Sequence, residues 1–382
     1  MKNYLLPLIF FIIVGNLFAQ EAYKPSKTQF LVRGYGSAGF HSTNDEGKKE
    51  STFNTGTFAP IFLYKLSDKL MFETELEFAF EDGVLETGLE YANIMYVMND
   101  YMTVRAGKFL LPFGTFMERI HPSWINKLSS VPLGFGHDGI SPSSGVGIEL
   151  RGAFAMGGSK FNYALYSTNG PKLKDGSIEP DEAGMLNFNN IDDNNNGKSF
   201  GGRIGYLPFT DSSTEIGFSW LNSKVGERES EYEDVSAKLI AYDFTFIKKI
   251  NPLGGIIDIR AQYNKSLVDD ADYYEPVDDG SFEEYTYGND SDSFYAQLSY
   301  RPTTASSDFI KNLEFVGRYS ELNTPEGSEW ESNVKQTTFG INYWLSWRSA
   351  IKINYQTNTG TGGHGGGEID RNEFSIHWAF GI

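Results

Sequence analysis

The feature that most constrains this chain is an alternation of large apolar and small or polar residues, seen most plainly at its end. Between Asn372 and Ile382, Phe374, Ile376, Trp378, Phe380 and Ile382 alternate with Ser375, His377, Ala379 and Gly381. A period of 2 is that of an extended strand with one greasy flank. A soluble protein buries such a flank in a core, whereas a membrane barrel turns it toward lipid. The pattern recurs in about 16 segments, and after Val14 no apolar run is long enough for a membrane helix. A chain of this kind crosses a membrane only as strands.

The segments differ in clarity. Across 29–40, Phe30, Val32, Ala38 and Phe40 oppose Arg33, Tyr35 and Ser37. Thr43 to Glu50 reads as a polar loop. Leu70 to Glu81 splits most cleanly, with Leu70, Phe72, Leu76, Phe78 and Phe80 against Glu73, Glu75, Glu77 and Glu81. The phase of the next segment, Glu86 to Val97, is ambiguous around Asn93. Alternation then continues through Val104, Ile148, Tyr163, Ile204, Phe218, Tyr242, Ile259, Leu298, Phe315, Ile341 and Ile353, each on the apolar flank of its segment. Connections alternate too. Those near residues 45, 180, 230, 280, 328 and 364 read as long and polar, and those near 67, 99, 157, 210, 251 and 348 as mostly short. Such asymmetry between two rims, with an even strand count, predicts an all-β, transmembrane antiparallel up-and-down β-barrel of about 16 strands. Both termini then lie at the short-turn rim. A secreted β-sandwich or β-helix would not need so many one-sided strands.

Composition agrees. Aromatics make up 15% of the chain, with 30 Phe and 22 Tyr, and there are 41 Gly among 382 residues. Mean hydropathy is -0.36, which excludes a bundle of membrane helices. The formal charge of -18 argues against nucleic acid as a partner. With no cysteine, disulfides, thiolate metal sites and Cys nucleophiles are excluded. Residues 1–19 read as a signal peptide: Lys2 is the basic start, Leu5 to Val14 the apolar run, and Leu17 and Ala19 stand at the -3 and -1 positions of a cleavage site. Residues 20–382 then form one barrel domain, in contact with lipid in the outer membrane of a Gram-negative bacterium. Too few residues precede the first strand for a plug.

The flanks opposite the apolar ones carry Arg33, Arg105, Arg151, Arg203, Arg260, Arg318 and Lys352, with Glu73, Glu75, Glu77, Glu149, Asp258 and Glu314. At the membrane midplane each such charge would cost roughly 2–4 kcal/mol, so these flanks are expected to line a wet lumen. Rings of charge select ions, but here the signs are mixed. Inward Arg–Glu pairs that only stiffen the wall are the plain alternative for each. One long interruption, Leu111 to Ser143, carries Pro112, Pro122, Pro132 and Pro142 and cannot be ladder strand. Its many apolar residues, among them Phe113, Phe116, Trp124, Ile125 and Phe135, point to a loop folded into the lumen as a constriction. The alternative is a loop that caps the outside or covers a neighbouring subunit.

Around this interruption the sequence resembles a known family. Val104-Arg105-Ala106-Gly107-Lys108-Phe109 followed by Pro112-Phe113-Gly114 is similar to the motif of the phosphate-selective porin O and P family. Asn126-Lys127 and Pro132-Leu133-Gly134 are similar to its forms in Bacteroidetes-like bacteria. The resemblance implies a 16-stranded, trimeric porin whose inward loop and wall cations handle anions, phosphate among them. It places Arg105, Lys108 and Arg119 at the motif. The chain departs from the family in its acidity and its Glu73–Glu77 stripe.

Weaker signals point elsewhere. Gly360 to Gly365 fits G-x-G-x-x-G but precedes a strand rather than a helix, so it reads as a surface loop. Asp192, Asn194 and Asn196 match the start of a calcium loop, yet the twelfth position is Arg203 rather than Glu. No pair of the five histidines is spaced as a metal pair. Nothing in the sequence asks for a cofactor or picks out a catalytic set. The leading expectation is passive diffusion of small polar solutes and ions. The alternatives are a structural or interaction barrel closed by the 111–143 loop, and an outer-membrane hydrolase.

Overall fold

The computed structural model describes residues 28–54, 56–81, 84–136, 139–188, 191–276, 282–362 and 367–382. The expected signal peptide, the centre of the glycine-rich loop, His137 and His364 lie outside them. Among the described residues one antiparallel sheet closes on itself. Its strands are β1 (Gln29–Asp45), β2 (Lys48–Asn54 and Phe58–Lys65), β3 (Leu70–Glu81), β4 (Val84–Asn99), β5 (Met102–Leu110), β6 (Ser144–Met156), β7 (Ser159–Thr168) and β8 (Ser199–Leu207). There follow β9 (Thr214–Lys224), β10 (Ser236–Ile250), β11 (Gly255–Val268), β12 (Asp290–Arg301), β13 (Leu313–Asn323), β14 (Asn333–Ser346), β15 (Ser349–Thr361) and β16 (Glu368–Gly381). The two parts of β2 pair with successive halves of β1 and count as one strand, which gives the sixteen expected. Closure is made by β1 against β16, from Tyr35↔Gly381 to Asp45↔Arg371.

The sequence pattern explains the sheet. Phe30, Phe339 and Trp378, on the apolar flanks, are 62%, 65% and 56% exposed, while Glu75, Arg105, Glu149, Arg203, Asp243 and Arg318, on the other flanks, are buried. That inversion of the soluble rule belongs to a barrel with an apolar outer belt and a polar interior.

Two local readings change. Thr43 to Glu50 is not a loop: β1 and β2 continue as a ladder to Asp45↔Lys48 and turn in two residues, Glu46 and Gly47. Both have positive φ (47° and 88°), the geometry of a tight hairpin turn. Polar composition misled here because this hairpin rises beyond the apolar belt. The ambiguous phase around Asn93 is a β-bulge. Glu75 pairs with Tyr91 and Leu76 with Leu89, so Glu90 is an extra residue in β4. The outward set therefore switches from Leu85 and Leu89 to Ile94, Tyr96 and Met98.

At the long-loop rim the connections fold together. Val225, Tyr232, Val235, Tyr273, Tyr287, Ala183 and Phe188 form one buried cluster. The Tyr287 hydroxyl and the Trp330 indole both donate to the Ala183 carbonyl, at 2.6 and 2.9 Å. These loops make a packed cap over part of the rim.

Candidate functional site

The segment 111–143 starts and ends on the ladder: Leu110 pairs with Ser144, and Leu111 N–H donates to Ser143 O at 3.0 Å. From there it lies against the polar inner faces of the opposite strands. Gly114 N–H donates to Ser219 Oγ (2.9 Å), and the N–H groups of Thr115 and Phe116 donate to Gln262 Oε1 (2.9 and 3.2 Å). Gly114 has φ +65°, and a Cβ there would stand 2.0 Å from Gln262 Nε2, so a larger residue would be strained and would displace the amide that holds the segment. Five residues, Phe116–Ile120, form a π-helix. Phe116 and Phe135 stack edge-on against each other and against Tyr295 of β12, with centroids 5.1–5.8 Å apart. Further along, Trp124 meets Trp347 in the β14–β15 turn at 6.4 Å, so the segment reaches down to the short-turn rim.

Charged groups fix the far end. Lys127 Nζ is bonded to Asp258 Oδ2 (3.1 Å), Ser299 Oγ (2.7 Å) and Glu314 Oε1. Arg318 donates to Ser130 O (2.8 Å), Ser130 Oγ (2.6 Å) and Gln336 Oε1 (3.1 Å). Lys352, fully buried, donates to the carbonyls of Ser123 (2.5 Å) and Asn126. Backbone oxygens of the segment thus take the place of water around two wall cations. Such interior charges are tolerated because each is paired or hydrogen-bonded.

The π-helix divides two cavities. One, of about 330 Å³, is lined by Glu118, Arg119, Arg151, Asn162 and Arg203. Here Arg151 bonds Glu118 (2.5 Å) and Glu149 (2.9 Å), Arg119 bonds Glu215 (2.9 Å), and Arg203 takes Asp243 bidentately (2.6 and 2.9 Å). Arg119 and Arg151 keep 39% and 31% of their side chains exposed, so their charge still faces the cavity. The other cavity, of about 320 Å³, is lined by Tyr35, His41, Glu77, His121, Lys352 and His377.

The sequence candidates therefore sort by place. Arg119, Arg151 and Arg203 gather at the first cavity, and Glu77 at the second. Glu75 lies behind Glu77, buried, and accepts a bond from the Tyr35 hydroxyl at 2.7 Å; Glu73 accepts from Asn93 at 3.2 Å. Arg105 is buried against Glu149 (2.5 Å) and over the Phe109 ring. Arg260 is held bidentately by Asp258, its neighbour on β11 (2.9 and 3.0 Å). Arg33 stands near the start of β1 with its guanidinium toward the Val32 carbonyl. Lys108 is displaced from the set: it shares the flank of Val104 and Ala106, pairs with Val146, and donates to Leu89 O at 2.6 Å. A single alternation separates it from Arg105.

Glu118 was not singled out from sequence. Its tie to Arg105 and Arg151 forms only when the loop enters the barrel. Of the weak calcium-loop candidates, the Asn194 amide donates to Val225 O at 2.9 Å, while Asp192 and Asn196 are exposed.

No family model matches the chain, and no curated protein sequence matches it. Solved structures do. The outer membrane channel DcaP of Acinetobacter baumannii is 12% identical, with TM-score 0.60 over 96% of this chain and 99% of that one. An anion-selective porin from Comamonas acidovorans is 12% identical, with TM-score 0.59 over 93% and 100%. OmpT, an outer membrane protein of Vibrio cholerae solved in trimer form, is 12% identical, with TM-score 0.51 over 93% and 99%. The fold is that of outer-membrane porins.

Proposed function

We propose that this chain is an outer-membrane porin through which small polar solutes and ions diffuse passively, narrowed by the 111–143 segment. One observation carries the reading: the apolar flanks are exposed on the outside while ionised side chains line cavities beside an inward-lying loop. The half-exposed Arg119 and Arg151 make small anions the favoured solutes of the first cavity, phosphate among them. A homotrimer belongs to this reading, supported by the trimeric porin of like fold.

Reversal potentials across a bilayer with a potassium chloride gradient test it. Charge-removing changes at Arg119 and Arg151 (Arg119→Gln with Arg151→Gln) are expected to move the reversal potential away from the chloride value. No shift would remove them from the pathway. On the acidic side the residues are expected to differ. Glu77→Gln moves the potential toward chloride, because Glu77 faces a cavity. Glu75→Gln leaves it nearly unchanged, because that carboxylate is buried against Tyr35. Equal shifts would place both on the pathway and contradict this assignment. A second reading, a barrel closed by the segment, draws on its many bonds to the wall. It is separated from the first by whether the unaltered protein carries current.

A further inference from the structure

Barrel closure creates a cluster that strand spacing gives no hint of. His41 on β1 and His377 on β16 are 336 residues apart, yet their Nε2 atoms lie 2.6 Å from each other, with the rings edge-on at 4.5 Å. On its far side the His41 ring presents Nδ1 to Glu373 Oε1 at 2.7 Å. Gly39 makes this possible. It pairs with His377 across the seam, and a Cβ there would meet the His377 Cδ2 at 2.6 Å, pushing the ring away. Both imidazoles line the 320 Å³ cavity, and the His41 side chain is 22% exposed.

We propose that His41 and His377 form a binding site on the barrel wall for a divalent transition-metal cation of the Zn²⁺, Ni²⁺ or Cu²⁺ class. The carboxylate of Glu373 fixes the proton of His41 on Nδ1, which leaves the Nε2 lone pair facing His377. A carboxylate behind a ligating histidine is the arrangement that orients imidazole and raises its basicity toward a metal. In the free state His377 Nε2–H donates to that lone pair. On binding, the His377 proton resides on Nδ1 and both Nε2 atoms turn to the cation. Metal–nitrogen distances are about 2.0–2.1 Å, so the two nitrogens separate by less than about 1 Å, within the reach of side-chain rotation. Water from the cavity completes the coordination. Glu77, on the same cavity, favours a cation there. Lys352 opposes it, but its ammonium is turned to the carbonyls of Ser123 and Asn126. Hard cations such as Mg²⁺ and Ca²⁺ prefer oxygen ligands and are excluded by this donor set.

The site stands whether or not the barrel conducts, so its test is binding and not current. Untagged full-length protein in detergent is titrated with Cu²⁺ and read by electron paramagnetic resonance. The expected result is one copper per chain, with hyperfine structure from two imidazole nitrogens, displaced by Zn²⁺ and not by Mg²⁺. His41→Gln and His377→Asn are each expected to abolish that signal, and Glu373→Gln to weaken binding by about 10–100-fold. His121→Gln, on the same cavity, leaves it intact. Folding of each variant is checked by heat-modifiable migration. If one histidine variant fails to fold, the other carries the test, and Glu373→Gln gives a graded readout. Copper bound equally by the folded histidine variants, or a spectrum without two imidazole nitrogens, would reduce the cluster to a hydrogen-bonded pair and overturn the proposal.

Discussion

Replacing residues 111–143 with a four-residue glycine–serine bridge raises the single-channel conductance several-fold. The barrel accommodates such a bridge because the ends of the segment are already hairpin partners, Leu110 opposite Ser144; loops of this length close antiparallel strands readily. The segment crosses the interior from the ladder end at Leu111 to the turn at Trp347, and it separates two cavities of a few hundred Å³ each. Removing it merges them and leaves the wall side chains in water, where ionised groups cost little. Arg318, Lys352 and Gln262 lose protein partners and gain hydration in exchange. Single-channel recording of the shortened variant beside the parent checks this. An unchanged conductance would mean that the segment does not occupy the ion path.

The second large effect concerns the anchor of that segment. Lys127→Met leaves two buried carboxylates facing each other without their shared cation. Asp258 keeps its bidentate Arg260, and Glu314 keeps the Trp344 indole (2.9 Å) and Ser299 (3.0 Å). Even so, breaking a buried ion pair from one side costs about 3–5 kcal/mol. The loss is expected partly as a lower urea midpoint and partly as release of the segment tip, which makes the open current noisier. Adding Glu314→Gln to Lys127→Met removes one of the stranded charges and recovers part of the midpoint. Should the single variant match the parent in both urea titration and current noise, Lys127 is not what holds the segment down.

Much of this architecture was legible from alternation alone, because in a barrel each strand reports its own two environments. Phe374 to Ile382 states its lipid flank without reference to any other strand. What alternation cannot report is anything that depends on which strand lies beside which. The ladder between Thr43 and Glu50 was hidden because a hairpin above the membrane has no apolar flank to show. Glu90 was only half legible: alternation loses its phase near Asn93, but only the pairing with β3 shows which residue is the extra one. Lys108 looked like part of the interior through its motif, but its parity with Val104 sets it on the outer flank. The partners of the inward arginines were unreadable for the same reason: Arg203 finds Asp243 two strands away, and Arg151 finds Glu118 on the entering loop. His41 and His377 are the extreme case, since only closure of the first strand on the last brings them together.

The central claim is that the apolar flanks face acyl chains and the charged flanks enclose a water-filled path. Planar-bilayer recording of the purified, refolded chain tests it most directly. The account predicts stepwise current in simple salt with no ligand added, larger in the variant shortened between Leu110 and Ser144. Silent bilayers from both proteins, at concentrations where each inserts, would contradict it.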